Sequence, residues 1–249
     1  MASMANRITL NCDLGESFGA WKMGEDELIM PHIDMVNLAC GFHAADPMTM
    51  DRSIKLAEEN DLYIGAHPSY PDLMGFGRRS MKCSYEEIEN IVLYQLGALD
   101  AFCKKHNSRF VYVKPHGALY NDMMNDTGIL EAMLRAINAF DKSLMLMVLS
   151  SERNDELKKV ASKYNGYLLF EAFLDRNYND DGSLIPRDQE NAVIHDADEV
   201  LKRIQELREH KYIKSINGKE LKFKVDTLCV HGDNKEALEF IKKIRKIVD

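Results

Sequence analysis

Short apolar runs alternate along the chain with longer stretches whose apolar residues recur every three to four positions. The runs cover 8–13, 35–40, 63–67, 110–114, 144–149, 167–172 and 225–231. Each has the length of a strand. The stretches between them cover 46–60, 84–106, 128–140, 152–164, 196–210 and 234–248, and read as helices. In 84–106, Ile88, Ile91, Val92, Gln95, Leu99 and Phe102 keep helical spacing, and Ser84 with Glu87 offers a capping box. Val200, Ile204 and Leu207 repeat the spacing behind a second cap, Asp196 and Glu199. Strands alternating with helices predict βαβ units and a parallel sheet. The exception is 212–224, where Asn217-Gly218 lies between short alternating runs. It predicts a β-hairpin inserted before the last strand.

Alternation within the runs assigns faces. Ile8, Leu10 and Cys12 turn to the helices, while Thr9, Asn11 and Asp13 turn the other way. Val111 and Val113 oppose Tyr112, Lys114 and His116, and Thr227, Cys229 and His231 share a face. Titratable groups gather at the carboxyl ends of the runs: Asp13, His43, His67, Lys114, His116, Glu171, His231 and Asp233. In a closed barrel these ends form one rim, where such folds carry their active sites. An open doubly wound sheet would split them along a crevice. The spread over most of the strands suits a ring better. The expected fold is α/β: a seven-stranded parallel (β/α) barrel, TIM-like, forming a single domain over 7–249. Residues 1–6 are expected to be an extension outside it, in part left by cloning. Asp13, His43, His67, Lys114, His116, Glu171 and His231 are expected to line one cavity. Taken singly, each has a plain structural reading: a strand-end histidine caps, and Lys114 with Glu171 makes a buried ion pair. Their joint placement on one rim is what points to a catalytic site.

Composition narrows the function classes. Of 249 residues, 45% are hydrophobic and 29% charged, an ordinary globular mix. Forty acidic against 32 basic residues leave a net charge of −8. That disfavours nucleic acid and anionic membrane as partners. No secretory signal opens the chain, and no apolar run approaches the roughly 18–20 residues of a membrane span. Five cysteines without a CxxC pair argue against a disulfide framework or a cysteine zinc site, and favour the cytoplasm. There is no GxxxxGK[ST] loop, GxSxG elbow or HExxH pair. Gly75-Phe76-Gly77-Arg78-Arg79 is a weak phosphate-loop signal. Gly15, Gly41, Gly65, Gly117 and Gly232 are read as loop-tip glycines that let backbone approach a ligand.

Six segments are too particular to be periodicity alone: 10–18 (LNCDLGESF), 37–47 (NLACGFHAADP), 65–79 (GAHPSYPDLMGFGRR), 113–121 (VKPHGALYN), 175–187 (DRNYNDDGSLIPR) and 229–234 (CVHGDN). Together they resemble the family of 5-oxoprolinase A subunits, also called LamB/YcsF, from about Ile8 to the last helix. Two positions depart from the family pattern: Ala45 stands in place of an expected Gly, and Leu174 in place of an expected Ala. The resemblance implies a seven-stranded barrel like those of the glycoside hydrolase/deacetylase class. It also implies ATP-dependent opening of 5-oxo-L-proline to L-glutamate, with ATP as cosubstrate and subunits B and C as partners. A homo-oligomer stays open.

The residues make chemical sense of such a reaction. A five-membered lactam is a stable amide, and phosphorylating its oxygen supplies a leaving group. Attack by water then needs a base, for which His116, Asp13 or His43 qualify. The developing anion needs a cation, for which Lys114, Arg79 or Arg176 qualify. Asn11, Glu16, Asn37, Arg79, Arg176 and Asp233 are the substrate-binding candidates. One rival reading is a metal-dependent hydrolase or deacetylase acting on a small amide or carbohydrate. It would draw a divalent metal's ligands from Asp13, His43, His67 and His231. A second rival is a non-catalytic ligand-binding subunit, against which the density of titratable groups argues.

Overall fold

The structure, a computed structural model, describes residues 8–186, 189–194, 196–230 and 235–248. Six parallel strands come first: β1 (Thr9–Leu14), β2 (Met35–Ala39), β3 (Tyr63–His67), β4 (Phe110–Val113), β5 (Met145–Leu149) and β6 (Tyr167–Phe173). A short antiparallel hairpin follows, β7 (Ile213–Lys214) with β8 (Glu220–Leu221). The last strand, β9 (Thr227–Val230), pairs with both β6 and β1 and closes the barrel. The helices are α1 (Asp26–Ile29), α2 (Pro47–Glu59), α3 (Tyr85–Lys105), α4 (Gly117–Asn125), α5 (Thr127–Phe140), α6 (Asn154–Ser162), α7 (Ala197–His210) and α8 (Lys235–Val248). Among the described residues no helix is long and apolar enough to cross a membrane.

Local chemistry explains the helix starts. Ser84 Oγ accepts from the Glu87 amide at 3.2 Å, and Glu87 Oε2 accepts from the Ser84 amide at 2.6 Å, completing the capping box of α3. Asp46 Oδ1 accepts from the amides of Met48 and Thr49 at the head of α2, where Pro47 occupies the first turn. Asp46 Oδ2 also accepts from Gly19, which ties the loop after β1 to the loop after β2.

Outward-facing strand residues such as Leu10, Cys12, Leu38, Ile64, Val113 and Val148 pack with the inner faces of the helices into one buried layer. Inside the barrel a second cluster, Met35, Tyr112, Met147 and Leu169, fills the amino-terminal end. Gly65 makes that plug fit: a Cβ there would lie 2.1 Å from the Tyr112 ring. Gly65 is therefore an interior strand position and not a loop tip as expected.

One further expectation needs correction, and two features add to the reading. Val111 does not share a face with Val113. The pairing steps from Ile64 with Phe110 to Gly65 with Tyr112, so Val111 is an extra residue and packs on the inner plug. Helix α4 was not anticipated, because it follows Pro115 and opens on a glycine. The hairpin turns through three residues: the Gly218 amide donates to Ser215 at 3.0 Å and Gly218 takes φ +85°, a type I turn closed by a left-handed residue.

Candidate active site

β1, β3, β4 and β6 bring four charged or imidazole groups into one cluster at the carboxyl end. Lys114, just past β4, is buried. Its Nζ donates to Asp13 Oδ1 at 2.9 Å and Asn11 Oδ1 at 3.2 Å, and lies 3.1 Å from Glu171 Oε2. Cys229 Sγ is 3.3 Å away. Burial opposes the charge on Lys114, but the Asp13 and Glu171 carboxylates outweigh it and hold its pKa well above the ordinary value. Burial pushes the Glu171 carboxyl up, against the pull of Lys114. Asp13 Oδ1 accepts from Asn37 Nδ2 at 2.7 Å as well, and Oδ2 stands 3.4 Å from His67 Nε2.

A histidine cluster adjoins this one. His43 and His116 stack with centroids 3.8 Å apart, and His67 meets them edge-on. His67 Nδ1 donates to the Lys114 carbonyl at 2.7 Å, and His116 Nε2 donates to the Phe76 carbonyl at 2.9 Å. The other two nitrogens, His67 Nε2 and His116 Nδ1, lie 3.0 Å apart. Glu16 Oε1 is 3.0 Å from His43 Nε2 and 3.5 Å from His116 Nδ1. Burial, then neighbouring histidines, hold the pKa of His43 and of His116 well below the usual imidazole value. One ligand atom each from Glu16, His43, His67 and His116 falls within 4.8 Å of the others, a group able to hold a metal ion.

Packing against this cluster accounts for Phe76 and Gly77 in the loop after β3. The Phe76 ring stands edge-on to both stacked imidazoles. Gly77, at φ +63°, passes so close that a Cβ would sit 2.9 Å from His116 and from His43.

Above both clusters opens a cavity of about 810 Å³. Asp13, Glu16, His67, Lys114 and His116 face it from the β1–β4 side. Leu149, Phe173, Leu184, Ile185 and Pro186 face it from the other. His43 and Glu171 are buried behind the lining, although both were expected to line it. Asn11 and Asn37 are buried below as a floor: Asn37 Nδ2 donates to Asn11 Oδ1 at 2.9 Å, and Tyr112 Oη donates to Asn37 Oδ1 at 2.6 Å. They position Asp13 and Lys114 and do not touch the cavity, so their expected substrate contact is corrected to a supporting one.

Arg79 is also corrected. Its guanidinium is bound to Asp72, with Nε 3.0 Å from Oδ2, and it is absent from the cavity wall, whereas its neighbour Arg78 lines it. Arg176 lines the cavity, but its guanidinium donates to the carbonyls of Ile185 (2.6 Å) and Ala192 (3.2 Å), bracing the long loop after β6. The metal ligand set changes too: Glu16 and His116 join His43 and His67, and Asp13 falls outside the group. His231 and Asp233 lie outside the described residues. Sequence reasoning missed Asp26, which lines the cavity and whose carboxyl burial lifts to about 6. Its place at the head of the short α1 left no periodic signal.

A closed parallel barrel with acids, imidazoles and a buried lysine around a carboxyl-end cavity defines a (β/α)-barrel of the enzyme type. The chain belongs to the LamB/YcsF family, whose sequence model matches residues 8–249. It is 50% identical over 240 residues to the 5-oxoprolinase A subunit of Vibrio campbellii, covering 96% of this chain and 95% of that one. Over 249 residues it is 49% identical to a 5-oxoprolinase A subunit of Pseudomonas aeruginosa, covering 100% and 99%. The lactam utilization protein from Thermus thermophilus superposes with a TM-score of 0.89 at 38% identity, covering 96% and 95%.

Proposed function

We propose that this chain is the A subunit of a 5-oxoprolinase, opening 5-oxo-L-proline to L-glutamate at the expense of ATP together with subunits B and C. The observation that carries the reading is the pairing of Asp13 with buried Lys114 at the base of a cavity, in a chain half identical to proteins of that name. Asp13 is the base for the attacking water. It faces the cavity, whereas His116 donates through Nε2 to the Phe76 carbonyl and turns its Nδ1 toward His67. Lys114, held as a cation, and Arg78, at the cavity wall, balance the anion that develops on the activated lactam. The ring carbons rest on the apolar wall of Leu184 and Phe173.

ATP acts through the partners in this reading, because the chain has no recognisable phosphate loop. The rim supports a partner at the mouth: Trp21 and Met74, in the loops after β1 and β3, are strongly exposed, and Met23 lines the cavity. The test is glutamate release from 5-oxoproline and ATP, with and without subunits B and C. The isolated chain is expected to release little or none and the complex to turn over. Robust turnover by the chain alone would overturn the division of labour. A complex that binds the lactam but releases no glutamate would overturn the activity.

A further inference from the structure

The histidine cluster holds a contradiction that no neutral arrangement of its protons resolves. A backbone carbonyl only accepts, so His67 must carry its hydrogen on Nδ1, facing Lys114, and His116 must carry its hydrogen on Nε2, facing Phe76. The remaining nitrogens, His67 Nε2 and His116 Nδ1, then both present lone pairs, 3.0 Å apart. Two lone pairs at hydrogen-bond distance repel unless a positive centre sits against them. An extra proton would make one ring an imidazolium, a charge set among three buried imidazoles packed ring against ring. The other such centre is a metal ion, which takes the neutral imidazole as its ligand.

The surroundings are those of a metal site. Ligating histidines usually donate their second N–H to a backbone carbonyl or carboxylate, which fixes the ring and the tautomer. His67 and His116 both do so. His43 is stacked on His116 with its Nε2 toward Glu16, which adds a third imidazole and a carboxylate. The four donor atoms fall within 4.8 Å of one another although they come from the loops or strand ends after four different strands. Three of the four side chains, Glu16, His67 and His116, also face the cavity, so a ligand oxygen has access.

We propose that Glu16, His43, His67 and His116 form a binding site for a divalent first-row transition metal, with Zn²⁺ the best match to three imidazoles and a carboxylate. Asp13, whose Oδ2 is 3.4 Å from His67 Nε2, stands beside the site and holds Lys114 in place of the ion. The inference does not depend on which substrate the cavity takes, and its readout is metal uptake and not turnover.

The full-length chain is stripped with a chelator and titrated with Zn²⁺ against a chromophoric competitor, and separately with Co²⁺ followed by its visible absorption. One equivalent of tight binding and a tetrahedral-type Co²⁺ spectrum are expected. His116→Gln and Glu16→Gln are then titrated, with circular dichroism confirming the fold. His116→Gln is expected to weaken binding by more than about 100-fold, since losing even an outer partner of a ligand costs about 10–100-fold. Asp13→Asn is expected to keep the stoichiometry. Failure of the folded wild-type chain to take up either ion would overturn the proposal. So would Co²⁺ spectra that are the same in wild type and His116→Gln, which would place the ion elsewhere. A single strongly deshielded proton shared by His67 and His116 and unaffected by added Zn²⁺ would instead identify the positive centre as a proton.

Discussion

The two walls of the cavity differ in balance: one is rich in titratable groups, and the other is mostly apolar although Arg176 and Ser183 also line it. The wall carried by β1 to β4 holds Asp13, Glu16, His67, Lys114 and His116, and each of these is bound to another polar group. The wall carried by β5, β6 and the loop after β6 holds Leu149, Phe173, Leu184, Ile185 and Pro186. A small cyclic amide has the same two-sidedness, with a polar amide edge and a hydrocarbon edge. Under the proposed function one half of the rim carries the chemistry and the other orients, and kinetics can separate the halves.

The sharpest way to break this division is Asp13→Asn in the reconstituted complex. Loss of the proton acceptor is expected to lower kcat by about 10²–10⁴-fold, with KM little changed. Full activity would remove Asp13 from the chemistry and the polar wall's priority with it. On the other wall, Leu184→Ala is expected to raise KM about tenfold while leaving kcat nearly unchanged, the usual size for a lost hydrocarbon contact. A kcat loss matching that of Asp13→Asn would mean the walls do not divide their roles.

The smallest effect concerns how the polar wall is held. Ala45, next to the His43 turn, adopts φ +68°, a conformation that costs a residue with a Cβ about 1–2 kcal/mol. Its amide donates to Ser17, stitching the β1 and β2 loops together. Ala45→Gly relieves the strain but adds roughly 0.5–1 kcal/mol of chain entropy to lose on folding. The net expectation is a stabilisation of at most about 1.5 kcal/mol, read as a raised midpoint in urea with an unchanged slope. A lowered midpoint would show that the turn is not strained.

Regular elements were legible because periodicity reports burial directly. The runs at 63–67 and 35–40 match β3 and β2 to within a residue, and Ser84 with Glu87 marks the start of α3 as built. Alternation also placed Asp13, His67 and Lys114 together, since side chains inside a closed barrel must meet. Legibility ended where the strands did. Arg78 and Arg79 are adjacent loop residues with no period to say which turns inward, and only the Asp72 partner decides it. Glu16 joined the histidines in place of Asp13 for the same reason: three loops meet there, and their relative positions are set by tertiary contacts such as Ala45 to Ser17. The bulge at Val111 escaped because one added residue reverses alternation without altering composition.

The plug of Met35, Tyr112, Met147 and Leu169 has a consequence for traffic. Among the described residues the plug closes the amino-terminal end of the barrel, so the cavity opens toward the carboxyl end. Any partner that delivers an activated substrate at the mouth thereby also stands in the exit. In the proposed assembly, product release would then require that partner to move aside.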